Sequence, residues 1–372
     1  MTGPVATPGA ADAWLALALV DGLSARDAFA LAEGLGSPDA VLEAGPATGL
    51  GAALVSRLRG ARERAARERE LLARHGATAV TWADVGYPAR LRTIADPPLA
   101  LFVRGTLDPA DVPAVAIVGA RRAGEYGRGV AADLAGGLAQ VGVTVVSGLA
   151  AGIDGAAHRG ALAVGGRTLA VMATGIDRVY PAWHRDLARD ISTQGALLTE
   201  FGFGAPPLQF HFPQRNRIIS GLSLGTVVVE AAERSGSLIT AEYAVEQGRE
   251  VFAVPGPIGT PHHRGCHRLI QQGATLVSSV DDILENLAPA LRARLAAVRA
   301  AAETARLSAD ERRVLDALGG EVRHVDEVVG RAGLAPGVAL ETLLALELRG
   351  LVVQRPGSRF ARPSDYGREA VA

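Results

Sequence analysis

The feature that most narrows the fold lies between Pro113 and Leu287, where the aliphatic runs AVAIVG, TVVSG, TLAVMATG, ALLTE, TVVVEA, EVFAVPG and TLVSS alternate with stretches of helical length. Strands spaced in this way are joined by right-handed βαβ crossovers, so the pattern predicts a doubly wound, mostly parallel sheet of the Rossmann-like α/β class. The glycines add a functional direction. Nearly every run ends in a Gly-rich or polar loop: Gly119-Ala120-Arg121, Ser147-Gly148-Leu149, Thr174 to Asp177, Glu200-Phe201-Gly202, the segment from Glu230, and Pro255-Gly256. These loops stand at the carboxyl ends of strands, where helix N-termini converge and ligands of such sheets bind. One crevice lined by several loops is expected.

The rest of the 372 residues divides around this core. The reading gives a flexible terminus at 1–11, a helical, SAM-like domain with its connector at 12–105, the Rossmann-like domain at 106–287, a linker at 288–307 and a winged-helix domain at 308–372. The N-terminal part shows short apolar segments from Trp14 to Ala44 broken by Gly and Ser, then a stretch from Ala53 to Gly76 charged at helical spacing. The linker is Ala- and Arg-rich. After it, Ser308 and Glu311 form a capping-box pair that opens a helix, turn, helix and hairpin. The helix from Gly337 to Leu348 carries Glu341 and Glu347 and no Arg before Arg349, so protein contact is expected of it ahead of major-groove reading.

Composition then excludes several chemistries. Basic and acidic residues number 38 and 39, a formal net charge of −1, so any polyanion site must be a local patch. Every basic residue is Arg. Without Lys there is neither Schiff-base lysine chemistry nor a P-loop. The lone Cys266 precludes an internal disulfide, and the start MTGPVATPGAADAW lacks the charged and apolar regions of a signal peptide. No apolar run approaches the ~18 residues of a membrane span. A cytoplasmic protein is expected.

Four constellations could carry function. Gly119-Ala120-Arg121-Arg122-Ala123-Gly124 follows a strand and precedes a helix, the context of a phosphate-binding loop. Its spacing, and Ser147-Gly148 where a ribose-binding acid would stand, argue against a dinucleotide and leave Arg121 and Arg122 as a fork for phosphate. Ser147 to Asp154 offers a second loop of amides. Asp154 and His158, one helical turn apart, would suit a general base, although an acid in a first turn is ordinarily a cap. In Phe212 to Gly221, Arg215, Asn216 and Arg217 read as lying just before an apolar helix, with Asn216 as its cap and both guanidinium groups near a positive dipole end that calls for an anion. Pairing of one of these arginines with Glu200 or Glu230 stands as the equal alternative. Ser235-Gly236-Ser237 opens another helix as an anion nest. His262, His263, Cys266 and His267 lack a recurring ligand pair, so no metal is assigned.

Taken together, these runs resemble the DNA-processing protein A (DprA, also called Smf) family. The resemblance rests on Gly119-Ala120-Arg121, SGLAAGID from Ser147 to Asp154, Ala157-His158, DRVYP from Asp177 to Pro181, FPQRNRIIS from Phe212 to Ser220, EAAERSGSLITA from Glu230 to Ala241 and REVFAVPG from Arg249 to Gly256, in order across about Ala114 to Val277. It implies a non-enzymatic homodimer that binds single-stranded DNA, protects incoming strands and loads the recombinase RecA in natural transformation and recombination, without a cofactor. The DNA contacts it implies are Gly119, Arg121, Arg122, Ser147, Gly148, Tyr180, Arg185, Arg215, Asn216, Arg217, Ser235, Gly236 and Ser237, with Tyr180 stacking on a base. The dimer or RecA surface it implies runs through His267, Leu269, Ile270 and Leu276. This chain departs from the family's pattern at Ala120, Ala173, His184, His267 and Ala182. At Ala182 a basic residue is usual, and Arg185, one turn on, is its expected replacement. The rival reading is a Rossmann-like hydrolase of nucleoside monophosphates, with Glu230 beneath the helix start at Ser235 to Thr240.

Overall fold

Each aliphatic run of the central segment forms a strand in a computed structural model that describes residues 10–45, 48–108, 111, 113–287, 307–349 and 351–362. The chain divides into two units, Met1–Leu295 and Ala296–Ala372. In the first, five helices come before any strand: α1 (Ala10–Ala18), α2 (Ala25–Leu35), α3 (Pro38–Glu43), α4 (Ala52–Leu58) and α5 (Ala61–Arg74). The charged stretch from Ala53 to Gly76 is thus two helices, because Gly60 adopts φ 68 and breaks the helical path. Among the described residues, Ala10 and Ala11 are already helical although they fall in the stretch expected to be flexible.

The strands are β1 (Ala77–Thr81), β2 (Ala100–Gly105), β3 (Ala114–Val118), β4 (Thr144–Ser147), β5 (Thr168–Val171), β6 (Ala196–Thr199), β7 (Gly225–Val228), β8 (Glu250–Ala253) and β9 (Thr275–Leu276). They form one sheet in the order β1-β2-β6-β5-β4-β3-β7-β8-β9. The strands from β3 to β9 pair in parallel, whereas β2 lies antiparallel to β6 and β1 to β2. The expected boundary at residue 105 therefore falls at the end of a strand of this same sheet. β1 and β2 are too short to show a helical period, and they cover the otherwise open edge of β6, a pairing that no local signal announces.

The intervening helices are α6 (Glu125–Gln140), α7 (Ile153–Ala163), α8 (Arg185–Gln194), α9 (His211–Leu222), α10 (Gly236–Glu246), α11 (Arg264–Gln271) and α12 (Val280–Leu287). Alternation along β3 assigns the two faces. Val115 and Ile117 pack with Leu134 and Leu138 of α6 and Ile283 of α12. Ala114, Ala116 and Val118 pack with Ile218, Ile219 and Leu222 of α9 and Ala241 and Ala244 of α10. This is a doubly wound, three-layer Rossmann-like architecture. From β3 the chain moves outward through β4, β5 and β6, then returns to place β7 on the other side of β3. The crevice of such a sheet opens where the order reverses, here at the carboxyl ends of β3 and β7.

The second unit holds α13 (Ala309–Leu318), β10 (Arg323–His324), α14 (Val325–Ala332), α15 (Pro336–Leu348), β11 (Val353–Arg355) and β12 (Arg359–Ala361), with the sheet order β10-β12-β11. This is a winged helix around Val314, Leu318, Val328, Leu343 and Leu346. The capping box is formed: Ser308 Oγ accepts from the Glu311 amide at 3.1 Å, and Glu311 accepts from the Ser308 amide at 2.7 Å. Helix α15 presents Leu340, Leu344 and Leu348 outward. The expected linker lies outside the described residues except for Leu307. No single described helix is long and apolar enough to cross a membrane.

Candidate nucleic-acid interface

At the switch point the loops after β3 and β7 are tied together, the Ala120 amide donating to the Glu230 carbonyl at 2.7 Å. Beside them opens a cleft of about 1020 Å³ lined by Gly119, Arg121, Arg122, Tyr180, Phe212 and the start of α10 from Ser235 to Ser237, among others. Arg121 and Arg122 are exposed on the first loop, and no carboxylate pairs with either among the described residues. The Arg121 guanidinium carbon stands 4.6 Å above the centroid of the Phe212 ring. Tyr180, 48% exposed, meets the same ring edge-on at 5.7 Å. A cation over an aromatic face beside a free tyrosine edge offers phosphate attraction and a stacking surface in one place.

The opposite wall is the N-terminus of α10. Ser235 is its N-cap, accepting from the Ser237 amide at 3.4 Å, and the two hydroxyls lie 2.7 Å apart. Gly236 leaves the wall bare of side chain and is exposed. Arg234, immediately before the cap, is exposed and lines the cleft without an acidic partner among the described residues. Sequence reasoning passed over both Arg234 and Phe212. Each lay inside a quoted run, but only the fold brings both to the cleft that Arg121 lines.

The FPQRNR run corrects the expected arrangement. It does not precede a helix: α9 begins at His211, and Pro213 is tolerated because first-turn amides have no intrahelical acceptor. Arg215 and Arg217, two positions apart on a helix, project roughly 200° apart about its axis. Arg215, 3% exposed, turns beneath the cleft and donates to the carbonyl oxygens of Gly148, at 2.6 Å, and Val171. Arg217, 5% exposed, turns away into a separate groove. There it meets both oxygens of Glu200, at 2.6 and 2.7 Å, and Asp96 at 3.0 Å. Asn216 is no cap; its Nδ2 donates to the Gly236 carbonyl at 3.2 Å and links α9 to the start of α10. Of these three implied DNA contacts, Arg121 is exposed in the cleft, Arg215 is buried at its floor and Arg217 lies in a separate groove.

The second amide loop is likewise taken. Asp154 Oδ2 accepts from the amides of Gly148 at 3.1 Å and Ala150 at 3.3 Å, so the chain's own carboxylate fills the nest. Burial raises the Asp154 carboxyl above the usual range, opposed by Arg215 and by these amides. Burial also lowers Arg215, to about 10, with Asp154 opposing the shift, so the group stays cationic at neutral pH. Ser147 is wholly buried and donates to the Ile117 carbonyl at 2.6 Å within the sheet, out of reach of a ligand. Gly148 is also buried; any side chain there would strike the Arg215 guanidinium. His158 is buried against Thr168 and not against Asp154, so the two form no catalytic couple.

Three further expectations resolve by position. Arg185 is exposed but lines a neighbouring depression and not the cleft itself. Glu230, 3% exposed, accepts from the Gly124 amide at 3.2 Å behind the first loop and does not line the cleft. Leu276 is 47% exposed on the edge strand β9, while Leu269 and Ile270 are half-buried against the core and His267 Nε2 lies 2.9 Å from the Gly256 carbonyl oxygen. Among the described residues no cluster of three or more His, Cys, Asp or Glu is arranged to hold a metal ion.

Comparison with known proteins places this geometry. A family model described as DNA recombination-mediator protein A matches residues 78–288, and one described as the DprA winged helix domain matches residues 298–358. Protein Smf of Escherichia coli (strain K12) is 46% identical over 279 residues, 73% of this chain and 74% of that protein. The putative DNA processing protein DprA of Mycobacterium tuberculosis (strain H37Rv) is 42% identical over 309 residues, 79% of each. Among solved structures, DNA processing protein A from Streptococcus pneumoniae superposes with a TM-score of 0.64 at 38% identity, covering 74% of this chain and 96% of that one. The Helicobacter pylori protein, whose single-stranded DNA binding mode its structure describes, gives 0.52 at 27% identity over 57% of this chain and 95% of that one. With the switch-point cleft, the winged helix and these matches agreeing, the chain belongs to the DNA recombination-mediator protein A (DprA/Smf) family.

Proposed function

We propose that the switch-point cleft binds single-stranded DNA by its phosphates and by base stacking, and that the protein acts as a binder without turnover. The observation that carries this reading is the Arg121, Phe212 and Tyr180 stack, flanked by Arg122 and Arg234, facing the capped start of α10. A strand laid there meets exposed guanidinium groups with no salt-bridged carboxylate among the described residues, oriented amides at a helix start, and an aromatic edge, a combination indifferent to base identity. The Helicobacter pylori relative's binding mode supports the same ligand. On this reading Gly119, Arg121, Arg122, Tyr180, Ser235, Gly236 and Ser237 contact the strand, while Arg215 and Asn216 hold its floor and wall in place.

On the same reading the protein protects incoming strands and loads RecA in natural transformation and recombination as a cytoplasmic homodimer, a role that its membership of the family supports. The exposed Leu276 on the edge strand β9 supports that side as the meeting surface. No observation favours the hydrolase alternative, since Glu230 stands behind the loop and not in the cleft. Base release from nucleoside monophosphates that Glu230→Gln abolishes would replace this reading.

Electrophoretic shift of single- against double-stranded oligonucleotides across a salt series tests it. Single strands should bind more tightly, with log K falling by about 0.7 per phosphate contact for each unit of log salt. Equal affinity for duplex, or binding indifferent to salt, would reject the cleft as a single-strand site.

A further inference from the structure

A second basic depression, of about 540 Å³, adjoins the cleft, with Tyr180 and Pro207 lining both. It gathers Arg104 at the end of β2, Arg178 from the loop after β5, and Arg185 and Arg189 of α8, against a single lining carboxylate, Asp177. That carboxylate is engaged inward, its side chain 17% exposed, accepting from the Gly204 amide at 2.7 Å with Arg178 Nε at 3.8 Å. Arg189 meets Asp186 at 2.9 Å, but both are largely exposed, and such pairs hold weakly. Among the described residues Arg185 has no acidic partner, and the Nε of Arg104 is buried without a hydrogen-bond acceptor. The guanidinium groups of Arg178, Arg185 and Arg189 are exposed, so an anionic oxygen entering the depression can reach them.

We propose that this depression is a second anion-binding subsite, which holds the phosphates of the same single strand as it leaves the cleft, with Tyr180 as the stacking step between the two. The inference rests on the reading of the first cleft as a single-strand site. It gives Arg185 a place, beside Arg104 and Arg189 in one depression. The shared wall favours a continuous polynucleotide over a free nucleotide, since one strand can lie along both depressions only by passing Tyr180.

Fluorescence anisotropy with oligothymidylates of graded length, on the full chain, tests this. The variants are Arg104→Gln with Arg189→Gln, Arg189→Glu alone, and Arg121→Glu as the control for the first cleft. In the double variant the shortest bound oligonucleotides should keep their affinity, while longer ones weaken and lose about 1.4 from the slope of log K against log salt, roughly 0.7 for each contact removed. Arg189→Glu, on an exposed helix surface, should show the same length-dependent loss even where an Arg104 variant fails to fold. Unchanged affinity and slope at every length, with Arg121→Glu still weakened, overturns the subsite and leaves the first cleft standing. Loss that is equal at all lengths, or that extends to thymidine monophosphate, also overturns it. Absence of single-strand binding by the unmodified protein overturns both readings.

Discussion

Both carboxylate oxygens of Glu200 are engaged by Arg217, at 2.6 and 2.7 Å, and the guanidinium spends its Nε on Asp96 at 3.0 Å. Burial alone would lower the Arg217 pKa, but Glu200 and Asp96 outweigh it and hold the charge above its ordinary value. The FPQRNRIIS run thus contributes a structural ion pair, fastening α9 to the loop after β6 and to the connector that carries Asp96.

Arg217→Gln should therefore cost stability and not affinity. It leaves Glu200, whose side chain is 11% exposed, with an uncompensated charge, a loss of about 3–5 kcal/mol. Urea denaturation should register it, while DNA affinity per folded molecule stays within error. A binding defect in a variant of full stability would contradict the assignment.

For Arg121 the opposite separation is expected. Arg121→Glu should weaken oligothymidylate binding at low salt and reduce its salt dependence, while unfolding free energy moves by no more than about 0.5 kcal/mol, the norm for exposed positions. Phe212→Leu should lose part of that affinity by removing the ring beneath the guanidinium, in the range of about 1–3 kcal/mol that a stacking platform contributes. Anisotropy titrations paired with thermal melts separate the two effects.

Stability should also depend on pH through His158. Its Nδ1 lies 2.7 Å from Thr168 Oγ1, whose hydroxyl donates to the Val145 carbonyl at 2.8 Å. The threonine oxygen must then accept from Nδ1–H, leaving Nε2 bare and the ring neutral, as its lack of a partner requires. Burial, with His184 and Arg215 nearby, pushes the ring down to about 3. The unfolded chain protonates near ~6.5 while the folded one does not. This contribution is therefore complete above ~6.5 and is lost as pH falls from there toward about 3, at about 1.4 kcal/mol per pH unit. Chemical denaturation of the protein and of His158→Gln at matched pH values should show the shallower slope in the variant.

Gly148→Ala should be disproportionately harmful for one added methyl. Its Cβ would stand 2.7 Å from Cζ of Arg215, a buried group with no room to retreat. A cost of about 1–3 kcal/mol, typical of overpacking, is expected together with weaker DNA binding as the floor shifts. Recovery of both in a Gly148→Ala, Arg215→Lys double variant would trace the defect to that contact.

The sequence by itself determined the local elements and the edge at which function gathers. Runs such as AVAIVG and TVVSG are apolar, short and glycine-terminated whatever surrounds them, and the capping box at Ser308 and Glu311 is written in residues three apart. The family was legible for the same reason, because its motifs are contiguous runs. Tertiary structure alone decided which of the arginines face the cleft. Arg217 is claimed by Asp96, 121 positions away, and Arg215 by the Gly148 carbonyl, 67 positions away, and no local pattern encodes partners at that range. It also added β1 and β2 to the sheet, because strand pairing is a relation between distant segments. Helical phase did the rest: two charges one residue apart from a common neighbour look like a pair in the sequence, yet the turn of α9 sends them to opposite sides.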